Sequence, residues 1–446
     1  MIKVNGQDIS WRGNSMNWTP LEHSLWAVTA PSGDEHAPLC ERVESDVAII
    51  GGGYCGLSSA LHLAKQGLSV TVLEANEPGF GGSGRNNGHC VPEWLWQSPQ
   101  WVVERYGAEQ GERMNNFQAS AAALVFSIIR DYQIECEAVQ SGMLKVSRAG
   151  PSVDLLRTRA QQWSQRGKAV QLLEAAQLQN YVASSSFVCG LLFEQGGHLN
   201  ALAYCRGLAA AANKEGAKLY YRSPAAKITA GDGGWQIRTS NGAEVLAKTV
   251  LIATNAFRHR LWPGLDQAYI PVRALGTATD PFPEELRRKV LPGGHNMQEL
   301  NAFGAPHVFF FFDADGRLVT GGPVGLGVNT TLKRVNATVA KRVLSDFPQL
   351  GQVKFTHRWE GLFDVSPSKT PGVHQLARQL YAAVGFSGRG IPTATALGRE
   401  IANMIVADDP RAMAFPLTPL PRNWFGALKG ALWHNLIVPA RHYRFE

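Results

Sequence analysis

The chain has 446 residues, 45% apolar and 18% charged, which is room for two domains and a large cofactor and is too apolar for a disordered chain. Its 43 Lys and Arg against 36 Asp and Glu give a net charge of +7 spread without a block of like charge, which argues against nucleic acid as a partner. The six cysteines form no CxxC pair, and there is no leader-like N-terminus and no apolar run of about 18 residues; no metal site, no disulfides, no membrane span and a cytoplasmic location are predicted.

Residues 1–44 carry Trp11, Trp18 and Trp26 with Pro20 and Pro31, a composition that predicts an extended arm packed on a domain. From Asp46, DVAII, GGGYCG, LSSALHLAKQG and SVTVLEA predict a buried strand, a glycine turn, a helix and a second strand, together one βαβ unit. Gly51, Gly53 and Gly56 stand as GxGxxG between that strand and helix, with Tyr54 and Cys55 inside the motif. There a bare backbone can approach a pyrophosphate, and the helix N-terminus offers it N–H groups. Glu74, followed by Ala75, closes the second strand, where a carboxylate can bind both hydroxyls of an adenosine ribose and disfavours a 2′-phosphate. Such a turn on its own can also hold nothing; the agreement of strand, helix, second strand and acid points to a dinucleotide. The segment GFGGSGRNNGHC, with Gly82, Ser83, Arg85, Asn86, Asn87 and Gly88, reads either as a surface hairpin or as a continuation along the dinucleotide.

Residues 99–139 predict one long helix or two, GMLKVSRA a strand, and PSVDLLRTRAQQWSQRG a helix opened by proline. A helix and strand follow in GGHLNALAYCRGLAAAANKEGAKLYY, then the strand TVLIATNA, which carries Thr254 and Asn255, and then strand-rich sequence from Pro271 to Leu332. The strand LYAAVGF runs into SGRGIPTATALGREIANMI, a second glycine turn opening a helix. Strand, glycine turn and helix near both ends predict a nucleotide domain assembled from residues 45–98, 196–265 and 355–412. Residues 99–195 and 266–354 are assigned to a second, mixed-sheet α+β domain that holds substrate. The basic, apolar stretch 413–446 reads as a packed tail rather than a membrane-surface helix.

Four segments, IIGGGYCGLSSALHLAKQG with VLEA, then GGSGRNNG, LIATNAF with IPVRA, and AAVGFSGRGIPTATALGREIA, resemble the FAD-dependent amine oxidoreductases of the D-amino acid and glycine oxidase family. The likeness is nearest to the γ-glutamylputrescine oxidase-like branch and spans nearly the whole chain in the family's order. The resemblance implies an α/β fold with a Rossmann-like, doubly wound FAD-binding domain of the GR2 type. It also implies hydride transfer from a C–N bond to flavin, and an imine that hydrolyses to an aldehyde or keto acid and an amine. The expected partners are a small amine substrate, anionic in one reading, and O2 or another electron acceptor. A 2-hydroxy acid oxidoreductase and a non-catalytic FAD-binding protein are the alternatives.

The resemblance places Gly51, Gly53, Gly56, Glu74, Ser83, Arg85, Asn86 and Gly88 on the family's FAD positions, with the Ala225 backbone at the adenine. It sets Gly385, Ser387, Gly388 and Gly390 at the flavin pyrimidine edge, with Ile391 following and Arg389 beside the flavin. Related sarcosine oxidases attach flavin through a cysteine in the segment matching EGLFDVSP, which has none here, so FAD is expected to be non-covalent, with His89 and Cys90 the remote alternatives. They also place a lysine near the flavin in the strand matching GRLVTGG, again absent here. Asn87, His89 and Arg389 depart from the family's usual residues.

Of the side chains that could act on substrate, Arg389 reads as holding a carboxylate, stabilising a reduced anionic flavin or tying down its own loop. His89 reads as contacting the ring, taking a proton or being structural. Arg273 reads more readily as a structural ion pair than as a substrate ligand. Phe309–Phe312 alternate faces, so two could wall a site; Phe310 is the candidate, and an all-core run is the favoured alternative. Tyr269 and His307 are weaker candidates.

Overall fold

The computed structural model describes residues 2–4, 7–9, 21–257, 261–300, 308–323 and 332–421; Trp11, Trp18, His307 and most of the 413–446 tail lie outside them. Five strands form the parallel centre of the first sheet. Lys218–Tyr220 lies beside Val70–Leu73, then come Arg42–Ile50 and Glu244–Ile252, and Leu380–Val384 pairs with the C-terminal part of the last. Glu244–Ile252 is long enough to fork the sheet. Its first half pairs antiparallel with Gly234–Thr239, which pairs with Ala225–Gly231, while its second half receives Leu380–Val384. Separated segments of chain are thus joined through hydrogen bonds to a single strand.

Two helices lock those segments together. Tyr54–Lys65 follows the first glycine turn and Gly390–Ala407 the last, and they cross where Gly398 has no side chain; a Cβ there would lie 2.6 Å from the Cys55 carbonyl. Ser58 Oγ donates to the Thr395 carbonyl at 2.6 Å and Ser59 Oγ to the Gly398 carbonyl at 3.1 Å, so the close approach also satisfies both buried hydroxyls.

The second sheet runs in the order Phe355–Val365, Ile270–Pro281, Arg317–Pro323, Phe309–Phe312, Asn296–Glu299, Met143–Ser147, Cys189–Phe193, Val170–Glu174. One expected boundary is corrected here. Phe355–Val365, assigned above to the nucleotide domain, pairs with Ile270–Pro281 from Ile270↔Val365 to Thr279↔Phe355 and so belongs to the second sheet. The pattern of a half-buried strand is the same whichever sheet it joins, so the sequence gives no sign of the choice. The predicted helical stretch 99–139 is two helices, Pro99–Tyr106 and Ala108–Asp131, broken at Gly107, whose φ of 85° suits only glycine. The proline-opened helix is Pro151–Gln165.

The part of the arm from Leu21 packs on the body of the protein, with a short helix where an extended arm was expected. Leu21, Leu25 and Trp26 are buried against Ala201, Leu202, Phe311 and Trp359, and the helix Leu25–Thr29 is capped by Ser24 Oγ.

Candidate active site

A cavity of about 710 Å³ runs from the first glycine turn, along the segment 79–89, to the last glycine turn, bounded on one side by strands of the second sheet. The first strand ends at Ile50, and Gly51 takes a φ of +115° with the Ala253 carbonyl where a side chain would be. Gly53 lines the cavity as N-cap of Tyr54–Lys65, while a Cβ on Gly56 would lie 2.1 Å from the Gly51 carbonyl; Gly56 closes the turn and does not line it. Ser83 Oγ accepts the Tyr54 N–H at 3.1 Å, which fastens the 79–89 segment to the helix start. The Tyr54 hydroxyl is 2.6 Å from the Ser83 carbonyl and accepts from Asn86 Nδ2 at 3.0 Å.

Glu74, Ala75 and Ala225 line one end. The Glu74 carboxylate accepts the Gly52 N–H at 2.6 Å and the Asn76 N–H at 2.9 Å, so it is held rigid at the strand end; burial pushes its pKa up and those N–H groups oppose the shift. Cys55, Gly82, Ser83, Arg85, Asn86, Asn87, Thr254 and Asn255 continue the wall, and Gly388, Arg389, Gly390 and Ile391 complete it. Thr254 Oγ1, Asn87 Oδ1 and His89 Nε2 are buried atoms of this wall without hydrogen-bond partners. Such orphans, a bare glycine turn at a helix N-terminus and a ribose-type carboxylate fit a dinucleotide whose own polar atoms meet them.

Several predicted site residues lie behind the wall. Gly385, Ser387 and Gly88 do not line the cavity; they shape it. Ser387 holds a φ of 53° because its N–H donates to the Asp364 carbonyl at 2.9 Å and its Oγ accepts the Ser366 N–H at 3.0 Å. Gly88 passes so close to Leu199 that a Cβ would meet its carbonyl at 2.4 Å.

Arg273 does not line the cavity either; it grips Glu360 bidentately, Nε and Nη2 both within 3.0 Å of carboxylate oxygens, which is the structural ion pair expected above. Phe310 is corrected outright. It is fully buried and packs edge-on to Phe347 at 5.1 Å in the second domain's core, whereas Phe309, one residue away on the opposite face, lines the cavity. Tyr269 hydrogen-bonds His374 at 2.6 Å, also outside the lining. Cys90 is fully buried with its thiol pushed far up by burial, and it does not line the cavity.

His89 lines the cavity between Phe309 and Phe311, both edge-on within 5.5 Å. Its Nδ1 is 2.9 Å from Asn296 Nδ2, so the amide donates to Nδ1 and the ring proton sits on Nε2, which faces no protein partner. Burial first, then the charges of His198 and Arg389, lower His89 to about 3, and burial lowers its strand partner His198 to about 3 as well. His89 therefore presents a neutral N–H donor, and a protonated imidazole is disfavoured.

The sign of the linkage is definite. Both rings are protonated less readily folded than unfolded, so their contribution to stability is intact above about pH 6.5 and is lost as pH falls from there toward 3. We expect the protein to lose on the order of 2 kcal/mol per histidine by pH 5. Denaturant titrations at pH 7.5 and 5 should show that loss, and His198→Gln should remove part of it; an identical loss in the variant would contradict the assignment.

Beneath the cavity lies a cluster that no motif announced. Glu93, fully buried, meets Lys145, Arg159 Nη1 at 3.1 Å and Arg389 Nη2 at 3.7 Å, all three cations nearly inaccessible. Arg389 also donates from Nε to the Glu93 carbonyl at 3.2 Å and from Nη2 to Gln298 Oε1 at 3.0 Å, and both Arg389 and Gln298 line the cavity. Burial and the neighbouring guanidiniums depress Lys145, and burial with Arg159 lowers Arg389 to about 9. The signal in the sequence was the single lysine in the otherwise buried, mostly apolar strand Met143–Ser147.

Comparison with known proteins agrees with this geometry. The family described as FAD dependent oxidoreductase matches residues 46–404. The chain is 32% identical to the γ-glutamylputrescine oxidoreductase of Escherichia coli K12 over 395 residues, covering 87% of this chain and 91% of that protein. The crystal structure of glycine oxidase from Geobacillus kaustophilus superposes with a TM-score of 0.66 at 20% identity, covering 85% of this chain and 99% of that one. That of L-proline dehydrogenase from P. horikoshii gives 0.67 at 19%, covering 88% and 99%. The chain belongs to the FAD-dependent oxidoreductases of the D-amino acid and glycine oxidase family, with FAD as its cofactor on an α/β, Rossmann-like fold, and it is an amine or amino-acid oxidoreductase.

Proposed function

We propose that the protein oxidises the C–N bond of a small amine that also carries an anionic group, giving an imine that hydrolyses to an aldehyde or keto acid and an amine. The charge of the cavity wall supports this: Arg85, Arg342, Lys369 and Arg389 line it, and among the described residues its one lining carboxylate, Glu74, stands at the ribose end. Bound FAD supplies the hydride acceptor. The residues present do the rest: Arg389 with Gln298 faces a substrate anion, Phe309 and Leu95 exclude water, and the neutral His89 Nε2–H donates a hydrogen bond without titrating. No protein base is required, because the nitrogen lone pair of a neutral amine forms the C=N bond as the C–H leaves as hydride, and the resulting iminium loses its proton and is hydrolysed once it reaches water. The electrons then pass to O2 or another acceptor. Relatives named for γ-glutamylputrescine and for glycine support an amine substrate.

Arg389→Lys tests the reading. A lysine keeps the charge and loses the planar fork, so turnover of an acidic amine should fall tenfold or more, since a hydrogen bond to a charged group contributes about 1.5 to 3 kcal/mol. An uncharged analogue should lose much less. Equal loss for both, or loss of flavin from the variant, would mean that Arg389 serves only its own loop.

A further inference from the structure

The 79–89 segment reaches the cavity with its backbone already turned. Trp26 Nε1, on the arm, donates to the Asn86 carbonyl at 2.7 Å, and Trp359 Nε1, on the strand Phe355–Val365, donates to the Arg85 carbonyl at 2.9 Å. The two indoles are edge-on neighbours with centroids 5.6 Å apart, both fully buried, and neither lines the cavity, whereas Arg85, Asn86 and Asn87 do. Two successive carbonyls therefore point away from the cavity toward one aromatic pair. In a planar trans peptide the N–H of the next residue points opposite to the carbonyl. The N–H groups of Asn86 and Asn87 are thereby directed away from the indole pair, and neither donates to another described residue. Two adjacent amides on the cavity wall without acceptors among the described residues are free to be taken up by a ligand.

The arrangement is built on purpose-shaped ground. Trp359 stands opposite Gly276 in the sheet, and a Cβ there would lie 2.2 Å from the indole, so glycine is what lets the ring lie flat against the neighbouring strand. Trp26 is held by its own helix, by Ser24 at the cap, and by Asn200 Nδ2 donating to Thr29 Oγ1 at 2.9 Å.

We propose that Trp26 and Trp359 are positioning residues that clamp the Arg85 and Asn86 carbonyls and so aim the Asn86 and Asn87 N–H groups at the flavin as a donor pair, which makes the N-terminal arm part of the cofactor site. The inference rests on FAD being the cofactor and is independent of which amine is oxidised. Preorganised N–H donors favour whichever state of a ligand carries more negative charge, here the reduced flavin.

The test uses the full-length holoenzyme with Trp26→Phe and Trp359→Phe made singly, each keeping an aromatic ring and losing one N–H. Trp235→Phe is the control; its indole donates to the Arg378 carbonyl, and neither residue lines the cavity. Flavin affinity is read by fluorescence titration of apoprotein with FAD, and the midpoint potential by dye equilibration. Each clamp variant should bind FAD about tenfold more weakly and should disfavour reduction about tenfold, a fall of about 30 mV for a two-electron couple, with a changed visible spectrum. Trp235→Phe should match wild type in all three. If a clamp variant melts earlier yet keeps wild-type affinity, potential and spectrum, the indoles are packing only and the proposal fails; should Trp359→Phe not fold, Trp26→Phe alone decides.

Discussion

Gly53→Val should leave a folded protein that retains almost no flavin. The position has an ordinary extended backbone, φ −95° and ψ −178°, so the substitution adds volume without backbone strain. A Cβ there already lies 2.8 Å from Ser83 Oγ, and the two methyl groups beyond it would enter the cavity in front of the helix N-terminus, the space a pyrophosphate needs. The side chain would also push on Ser83, whose hydroxyl caps the Tyr54 N–H. We expect FAD affinity to fall roughly a thousandfold or more, about 4 kcal/mol, with far-ultraviolet circular dichroism unchanged. Normal flavin content in the purified variant would overturn the placement of the cofactor's phosphates.

Glu93→Gln should destabilise the protein strongly. Lys145, Arg159 and Arg389 converge on that one fully buried carboxylate. Removing one partner of a buried pair leaves uncompensated charge and typically costs about 3 to 5 kcal/mol. The cluster also joins Pro151–Gln165, Met143–Ser147 and the N-cap of Gly390–Ala407, so both domains should loosen together. Urea unfolding of the holoenzyme measures this directly. A loss under about 1 kcal/mol would mean that the cations find other partners. Lys145→Met in the same background should recover part of the loss, because it removes one of the stranded charges.

The parts of this site that could be read from the sequence are those in which a local pattern has a local cause. The glycines at 51, 53 and 56 and the acid at 74 are fixed by a turn and a strand end within one βαβ unit, and they stand where the pattern puts them. The last glycine turn was equally legible as a strand running into a helix, but which of its residues face the cavity was not. Gly385 and Ser387 form the turn while Gly388 to Ile391 line the wall, a division set by the Ser366 and Asp364 contacts from another segment. Period 2 gave Phe309–Phe312 two faces without saying which was outward, and Phe310 was assigned to the wrong one. The Glu93–Arg389 and Trp359–Arg85 contacts join residues 296 and 274 apart in the chain, where no spacing rule reaches.

The most direct test of the central claim is anaerobic: mix the purified yellow protein with single candidate substrates and follow the flavin absorbance. Bleaching is expected with an amine that carries a carboxylate or another anionic group, slower bleaching with its uncharged analogue, and release of a carbonyl product equal to the flavin reduced. Bleaching by 2-hydroxy acids with none by any amine would contradict the claim.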